Sequence, residues 1–184
     1  MNVIGISGVG RVGKDTFFKA VCSASPNNKY LRMAFADELK EECDEFLRKN
    51  INISAFTEDP NEKALIRPFL VTYGSHIRRK LNKYCWVEKV ENKISKIKDP
   101  NVTVFITDVR YENEMRWVSE KMGGRNIYIN RDGVAPANDE EKLNDPALRS
   151  LADVLIDIPN FKEDTLPYEC SKYVCDHMEI LMHD

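Results

Sequence analysis

Two rhythms of apolar and polar positions alternate along this chain. Val3, Ile4 and Ile6 make a short apolar run that predicts a buried strand, and glycines at 8, 10 and 13 break it into a turn. From Asp15 to about Ser23, Phe17, Phe18, Val21 and Cys22 share one helical face. Residues 30–35 read as a second strand. A helix is predicted from Asp37, where Leu39, Cys43, Phe46 and Leu47 recur at helical spacing. Residues 50–60 are polar and predict a loop. Residues 61–73 look helical, with Pro68 expected to kink or split them. Val87, Val90, Ile94 and Ile97 mark a longer helix, and Asp99-Pro100-Asn101 a turn.

Residues 102–106 are the clearest buried strand. Met115, Val118 and Met122 then line one helical side, which Gly123-Gly124 ends. Residues 126–130 and 154–158 are further strands. The polar stretch 131–150 between them has weak periodicity, and a closing helix is predicted over 163–181 with Cys170, Tyr173, Val174 and Leu181 inward. Strands alternating with helices imply a three-layer α/β/α fold with a mainly parallel sheet of roughly five strands. Ligands bind such sheets beyond the carboxyl ends of the strands, so the chemistry is expected after residues 7, 35, 106 and 130.

Composition narrows the class. The 184 residues suit one domain, and 42% apolar with 31% charged residues is an ordinary globular balance. A formal net charge of -3 lacks the basic footprint of a protein that binds polymeric nucleic acid. Five cysteines without a C-x-x-C pair, and three histidines, argue for reduced thiols over a zinc site and for a cytoplasmic location. The opening residues lack the basic flank and cleavage pattern of a signal peptide. No apolar run approaches the ~20 residues of a membrane span, so no membrane partner is expected.

The glycine turn carries the strongest signal. Gly8-Val9-Gly10-Arg11-Val12-Gly13-Lys14-Asp15-Thr16 follows a strand and opens a helix, as a triphosphate-binding loop does. Glycines let backbone N–H groups close around phosphate oxygens, the helix adds its positive end, and Lys14 reaches the β- and γ-phosphates. Arg11 is a second cation in the loop. Gly8-x-Gly10-x-x-Gly13 alone would also allow a dinucleotide fold, but Lys14 directly after the last glycine favours a nucleoside triphosphate. Asp15 stands where Ser or Thr is usual. Either it ligates Mg²⁺ itself, or it favours the helix N-terminus while Thr16 meets the metal, or it is a solvated first-turn acid.

GTP-binding domains are disfavoured, because the Asn-Lys pairs at 82–83 and 92–93 have no aspartate in register and Asp108-Val109-Arg110 replaces a D-x-x-G after the central strand. A compact chain with arginines beyond the loop suits a small-molecule kinase better than a mechanical ATPase.

Four stretches then resemble the bacteriophage-type deoxynucleoside monophosphate kinases, within the P-loop nucleoside monophosphate kinases. They are Ser7-Gly8 through Gly13-Lys14-Asp15-Thr16, Phe35-Ala36-Asp37-Glu38-Leu39-Lys40, Tyr73-Gly74 through Arg78 to Trp86-Val87, and Ile106-Thr107-Asp108-Val109-Arg110-Tyr111-Glu112-Asn113-Glu114. Together they cover most of residues 1–130. Ser75 stands where the family often has Thr, and residues 132–150 lack its H-x-S-E pattern. Animal phosphomevalonate kinases share the G-K-D loop, and dephospho-CoA kinases the architecture.

The resemblance implies a single domain over 1–184, with an acceptor-binding segment at about 37–98 and a short lid at about 131–150. It implies Mg²⁺-ATP and a deoxynucleoside monophosphate as substrates, and a monomer or homodimer in the cytoplasm (that of the host, for a phage-encoded chain). The alternatives are a kinase of phosphomevalonate or dephospho-CoA type and a non-catalytic ATP-binding regulator. Asp37 would orient the acceptor or a metal-bound water, unless it only N-caps its helix. Asp108 would hold Mg²⁺, with Arg110 on the phosphates, unless the two brace the loop. Arg67 and Arg78 would meet the acceptor phosphate. Tyr73 and Trp86 would stack on its base, or else belong to the core. Glu114 would contact or brace the acceptor, and Arg131 would lie near ATP at the lid.

Overall fold

The computed structural model describes residues 1–159; the predicted closing helix lies outside them. The chain divides into two compact units, one of residues 1–33 with 98 onward, the other of residues 34–97.

The first unit is built on five parallel strands in the order β2-β3-β1-β4-β5: β1 (Asn2–Ser7), β2 (Lys29–Met33), β3 (Val102–Val109), β4 (Arg125–Arg131) and β5 (Val154–Ile158). The inner strands are continuously buried over most of their length because both their faces are covered. On one face Phe17, Ala20 and Val21 of α1 (Lys14–Ala24) pack with Ile4, Ile6, Phe105, Ile127, Ile129 and Ile156. On the other lie α6 (Glu112–Arg116) and the wider π-helical turn Trp117–Lys121 that continues it. There the missing side chain of Gly5 makes room for Asn126, whose amide donates to the Met115 carbonyl. The fold is therefore three-layered, α/β/α.

Strand order fixes where chemistry can happen. The chain leaves β1 through α1 toward β2, and leaves β3 through α6 toward β4 on the opposite side. The carboxyl end of β1 lies at this reversal, which is the ligand crevice of open α/β sheets. The glycine loop occupies it.

The second unit is helical. Its elements are α2 (Phe35–Ile51), α3 (Pro60–Val71), a π-helical turn (Thr72–Arg78), a single turn α4 (Arg79–Leu81) and α5 (Cys85–Ile94). Cys43, Leu47, Ala55 and Ile66 form its core, with Leu39, Leu70 and Tyr73 against them.

Three local expectations are corrected. Pro68 does not break α3. It forfeits the bond to the Ala64 carbonyl, but both residues are exposed, so water can satisfy that oxygen. The second helix starts at Phe35, with Ala34 as N-cap, which makes Asp37 its third residue and not its cap. The stretch 131–150 is not merely polar loop, since α7 (Asp139–Leu151) fills most of it. Asn138 caps α7 by accepting from the Glu141 N–H at 2.8 Å.

Candidate functional site

The loop between β1 and α1 is wound as an anion cradle. Gly8 (φ 134°), Arg11 (φ 66°) and Gly13 (φ 105°) all have positive φ. A Cβ at Gly8 would sit 2.4 Å from the Ile129 carbonyl oxygen, so glycine is required there twice over. Arg11 holds a left-handed conformation that ordinarily costs ~1 kcal/mol or more. Lys14 turns back into the loop, donating to the Gly8 carbonyl at 2.7 Å and the Val9 carbonyl at 3.0 Å. Burial, and then the Arg110 charge, push its pKa down to about 8 against the partial opposition of Glu141, Asp108 and Asp15.

A carboxylate already sits in the cradle. Glu141 Oε2 accepts from the Gly10 N–H at 3.0 Å and the Ala137 N–H at 2.9 Å, while Oε1 accepts from Arg110 Nη1 at 3.1 Å. Burial alone would raise the Glu141 pKa. The two backbone N–H groups, Arg110 and Lys14 outweigh it and hold the group below the usual carboxylate range. Gly8, Val9, Arg110, Glu141, Asp145 and Leu148 line a small open pocket at this point.

Arg110 is fixed at its other end too. Glu114, fully buried, accepts at Oε2 from the Arg110 N–H (2.7 Å) and the Tyr111 N–H (3.1 Å). Glu114 thus braces the turn after β3. Asp108 is half-buried at the end of β3, within electrostatic reach of Lys14. Arg131, half-buried, ends β4. Asp15 and Thr16 are exposed in the first turn of α1, and the Asp15 carboxylate pairs with Arg32 of β2 at 3.1 Å. No group of three or more His, Cys, Asp or Glu side chains that could hold a metal occurs among the described residues. Oxygen donors for Mg²⁺ are nonetheless present at Asp108 and Thr16, and an ion there would draw most of its ligands from phosphate and water.

In the helical unit, Tyr73 and Arg78 gather around Glu42. The Tyr73 hydroxyl donates to Glu42 Oε1 at 2.6 Å, and this bond, more than burial, pushes its pKa up to about 12. Arg78 Nη2 donates to Oε2 at 3.3 Å. Its Nε lies 2.7 Å from Oε1, but the N–H is not aimed there, so that arm is an ionic contact without a formed hydrogen bond. Lys89 pairs with Oε2 at 2.9 Å. The Arg78 guanidinium lies 5.6 Å from the Trp86 ring centre, and Trp86 is buried in the core. Arg67 is exposed on α3 and takes no part. Asp37 is half-buried in the first turn of α2.

Sequence reasoning missed Glu141, Glu42 and Lys89. Only Glu141 left a local trace, as the acid three residues after an Asn N-cap.

Strand order β2-β3-β1-β4-β5 with a glycine loop between β1 and α1 is the arrangement of a P-loop fold. No family model and no curated protein matches the sequence. Solved structures do match along almost the whole chain. A dephospho-CoA kinase from Campylobacter jejuni aligns over 98% of this chain and 97% of its own at 16% identity, with a TM-score of 0.54. A shikimate kinase from Aquifex aeolicus aligns over 96% of each chain at 17% identity, with a TM-score of 0.50. The likeness is one of fold. No described helix is long and apolar enough to cross a membrane.

Proposed function

We propose that this chain is an ATP-dependent kinase of deoxynucleoside monophosphates. The observation that carries the reading is the Glu141 carboxylate seated on Gly10, Ala137 and Arg110, since a site that grips one oxyanion with backbone N–H groups and a guanidinium is built for phosphate oxygens.

In this reading residues 8–16 wrap the phosphates of ATP. Lys14 trades its contacts with the Gly8 and Val9 carbonyls for phosphate oxygens. Arg110 bears on the transferring group from the β3 side. An oxygen of the acceptor phosphate attacks the γ-phosphorus as the bond to the β–γ bridging oxygen breaks, and ADP leaves. The attacking oxygen is already anionic near neutral pH, so positioning and charge stabilisation supply the rate. Asp108 and Thr16 would hold Mg²⁺, with Asp15 a third candidate once released from Arg32. The ion would neutralise charge on the β- and γ-oxygens. Asp37 would orient the acceptor and Arg131 would lie along ATP. Arg78, joined by Lys89, supplies the positive charge that a dianionic acceptor phosphate requires, and Tyr73 a hydrogen-bond donor beside it. Arg67 and the buried Trp86 have weaker support as substrate contacts, and Glu114 acts through Arg110.

The test is ADP release measured with dGMP, dTMP, dCMP and dAMP, beside dephospho-CoA, phosphomevalonate and shikimate. Turnover with one or more monophosphates, lost in Lys14→Ala, supports the reading. Turnover with dephospho-CoA or phosphomevalonate alone moves the chain to the other kinase class. ATP binding without turnover on any acceptor makes it a non-catalytic binder.

A further inference from the structure

Glu141 is held in the cradle by contacts that differ from those of the helix carrying it. An acid at the third position of a helix commonly reaches back to the N-cap N–H. Glu141 passes over Asn138 and instead bonds Ala137 and, 131 residues away in sequence, Gly10. Its oxygens approach the position of a Gly10 Cβ to 3.1 and 3.3 Å, so glycine is what allows the carboxylate to come this close. Each of its oxygens accepts from a main-chain amide or a guanidinium, as a phosphate oxygen does in a phosphate-binding loop.

The helix is anchored unevenly. In its second half Leu148 is buried, Arg149 donates to Asp145 (2.8 Å) and to Asn130 (3.0 Å), and the Arg149 guanidinium lies 4.4 Å from the ring centre of the buried Tyr128, whose hydroxyl bonds Asp145. The first half is held to the sheet side by the Glu141 contacts and a Tyr111–Glu140 hydrogen bond of 2.5 Å. Pro146 removes the helical bond to the Lys142 carbonyl between the halves. The loop before Asn138 is largely exposed, and a Cβ at Gly133 (φ 78°) would meet open space. The contacts that hold the first turn are therefore separate from those that anchor the second half.

We propose that Glu141 is an exchangeable occupant of the terminal-phosphate position. It satisfies Gly10, Ala137 and Arg110 while the cradle is empty, and leaves when a nucleoside triphosphate enters, passing those three donors to the γ-phosphate. Ala137 N–H thereby becomes a ligand of the nucleotide. The inference rests on the nucleotide-binding reading above. Two anions cannot share the three donors, so the carboxylate competes with triphosphate and weakens its binding. A diphosphate, which has no γ-phosphate, leaves Glu141 in place.

The test is calorimetric titration of the full chain, wild type, Glu141→Ala and Glu141→Gln, with ATP, ADP and inorganic tripolyphosphate. Thermal melts confirm that each variant folds, and the shape-preserving Gln variant stands in if Ala does not. The expected result is ATP and tripolyphosphate bound about tenfold more tightly by Glu141→Ala, a smaller gain in Glu141→Gln, and ADP affinity unchanged within about twofold, where tenfold corresponds to ~1.4 kcal/mol. Unchanged or weaker ATP binding by both variants overturns the proposal, as does equal tightening of ATP and ADP. If wild type and variants all fail to bind ATP, it is the nucleotide reading that falls, and the exchange falls with it.

Discussion

Removing the Glu114 carboxylate should cost more than any exposed ion pair of this protein contributes. The side chain is fully buried and accepts two backbone N–H groups at one oxygen, 2.7 Å from Arg110 and 3.1 Å from Tyr111. Glu114→Ala leaves both amides without an acceptor, at about 1–3 kcal/mol each, and opens a void worth ~1 kcal/mol more. The Arg110 N–H bond is only part-buried, which places the cost of that amide toward the lower end of the range. The sum is about 3–6 kcal/mol. At about 2–4 °C per kcal/mol for a chain of this size, the melting temperature falls by roughly 6–24 °C. Glu114→Gln keeps an oxygen in place but loses the charge on both bonds, for about 1–2 kcal/mol. Urea unfolding followed by circular dichroism measures both variants. A Glu114→Ala variant within about 1 kcal/mol of wild type, or a Gln variant as damaged as the Ala variant, would refute the two-amide account.

Lys14→Met should stabilise the ligand-free chain by about 1–3 kcal/mol at pH 7, because the folded state holds a charged lysine against burial and Arg110. The sign follows from the depressed pKa: the wild-type penalty is full below about pH 8, fades as pH rises from there, and is gone above the unfolded lysine pKa of 10.5, which melts at pH 7 and 10 would show. In the wild type, ATP affinity should weaken progressively above pH 8, as binding must first reprotonate Lys14, and titrations at pH 7, 8 and 9 read this directly. Tyr128→Phe should cost about 1–2 kcal/mol in denaturant unfolding, since its hydroxyl donates to the Asp145 carboxylate; burial and then Asp145 push the phenol pKa upward, so the loss is constant across neutral pH. Gly124→Ala should destabilise by more than ~2 kcal/mol, its Cβ falling 2.2 Å from the Val3 carbonyl oxygen, whereas Gly123→Ala (φ 61°, open space) should cost only ~1 kcal/mol in the same assay.

The five strands and the glycine loop were legible because their signals are local. Apolar runs such as 102–106 have one use in a parallel sheet, and three glycines ending in Gly13-Lys14 after a strand have few other uses. Helix α7 was hidden by its own surface. Asp139, Glu140, Glu141 and Pro146 leave residues 131–150 polar and only weakly periodic, yet Asn138 with Glu141 at the third helical position was a start signal. Asp37 was misread by two residues because Met33-Ala34-Phe35 continues the apolar pattern of β2, whereas Phe35 is already in α2. The partners of Arg78 and Arg110 were out of reach in principle. Glu42 and Glu141 lie 36 and 31 residues from them, and no periodicity relates positions that only the fold brings together.

Two acids of opposite temperament frame Arg110. Glu114 is sealed in the interior and holds its backbone, while Glu141 comes from a half-anchored helix and holds its guanidinium. A lone arginine on an exposed turn would lose rotamer freedom whenever it met a phosphate, at ~1 kcal/mol or more. Here the backbone is set by a bond that ligand does not touch, and the guanidinium already rests on an anion, so exchange of one anion for another leaves its ordering unchanged. Preorganised charge of this kind is what phosphoryl transfer requires, since there is little covalent work for the protein to do. Under the proposed exchange the cradle would be poised by competition: the carboxylate that would lower its affinity for triphosphate is the same group that holds Arg110 and the Gly10 amide in place.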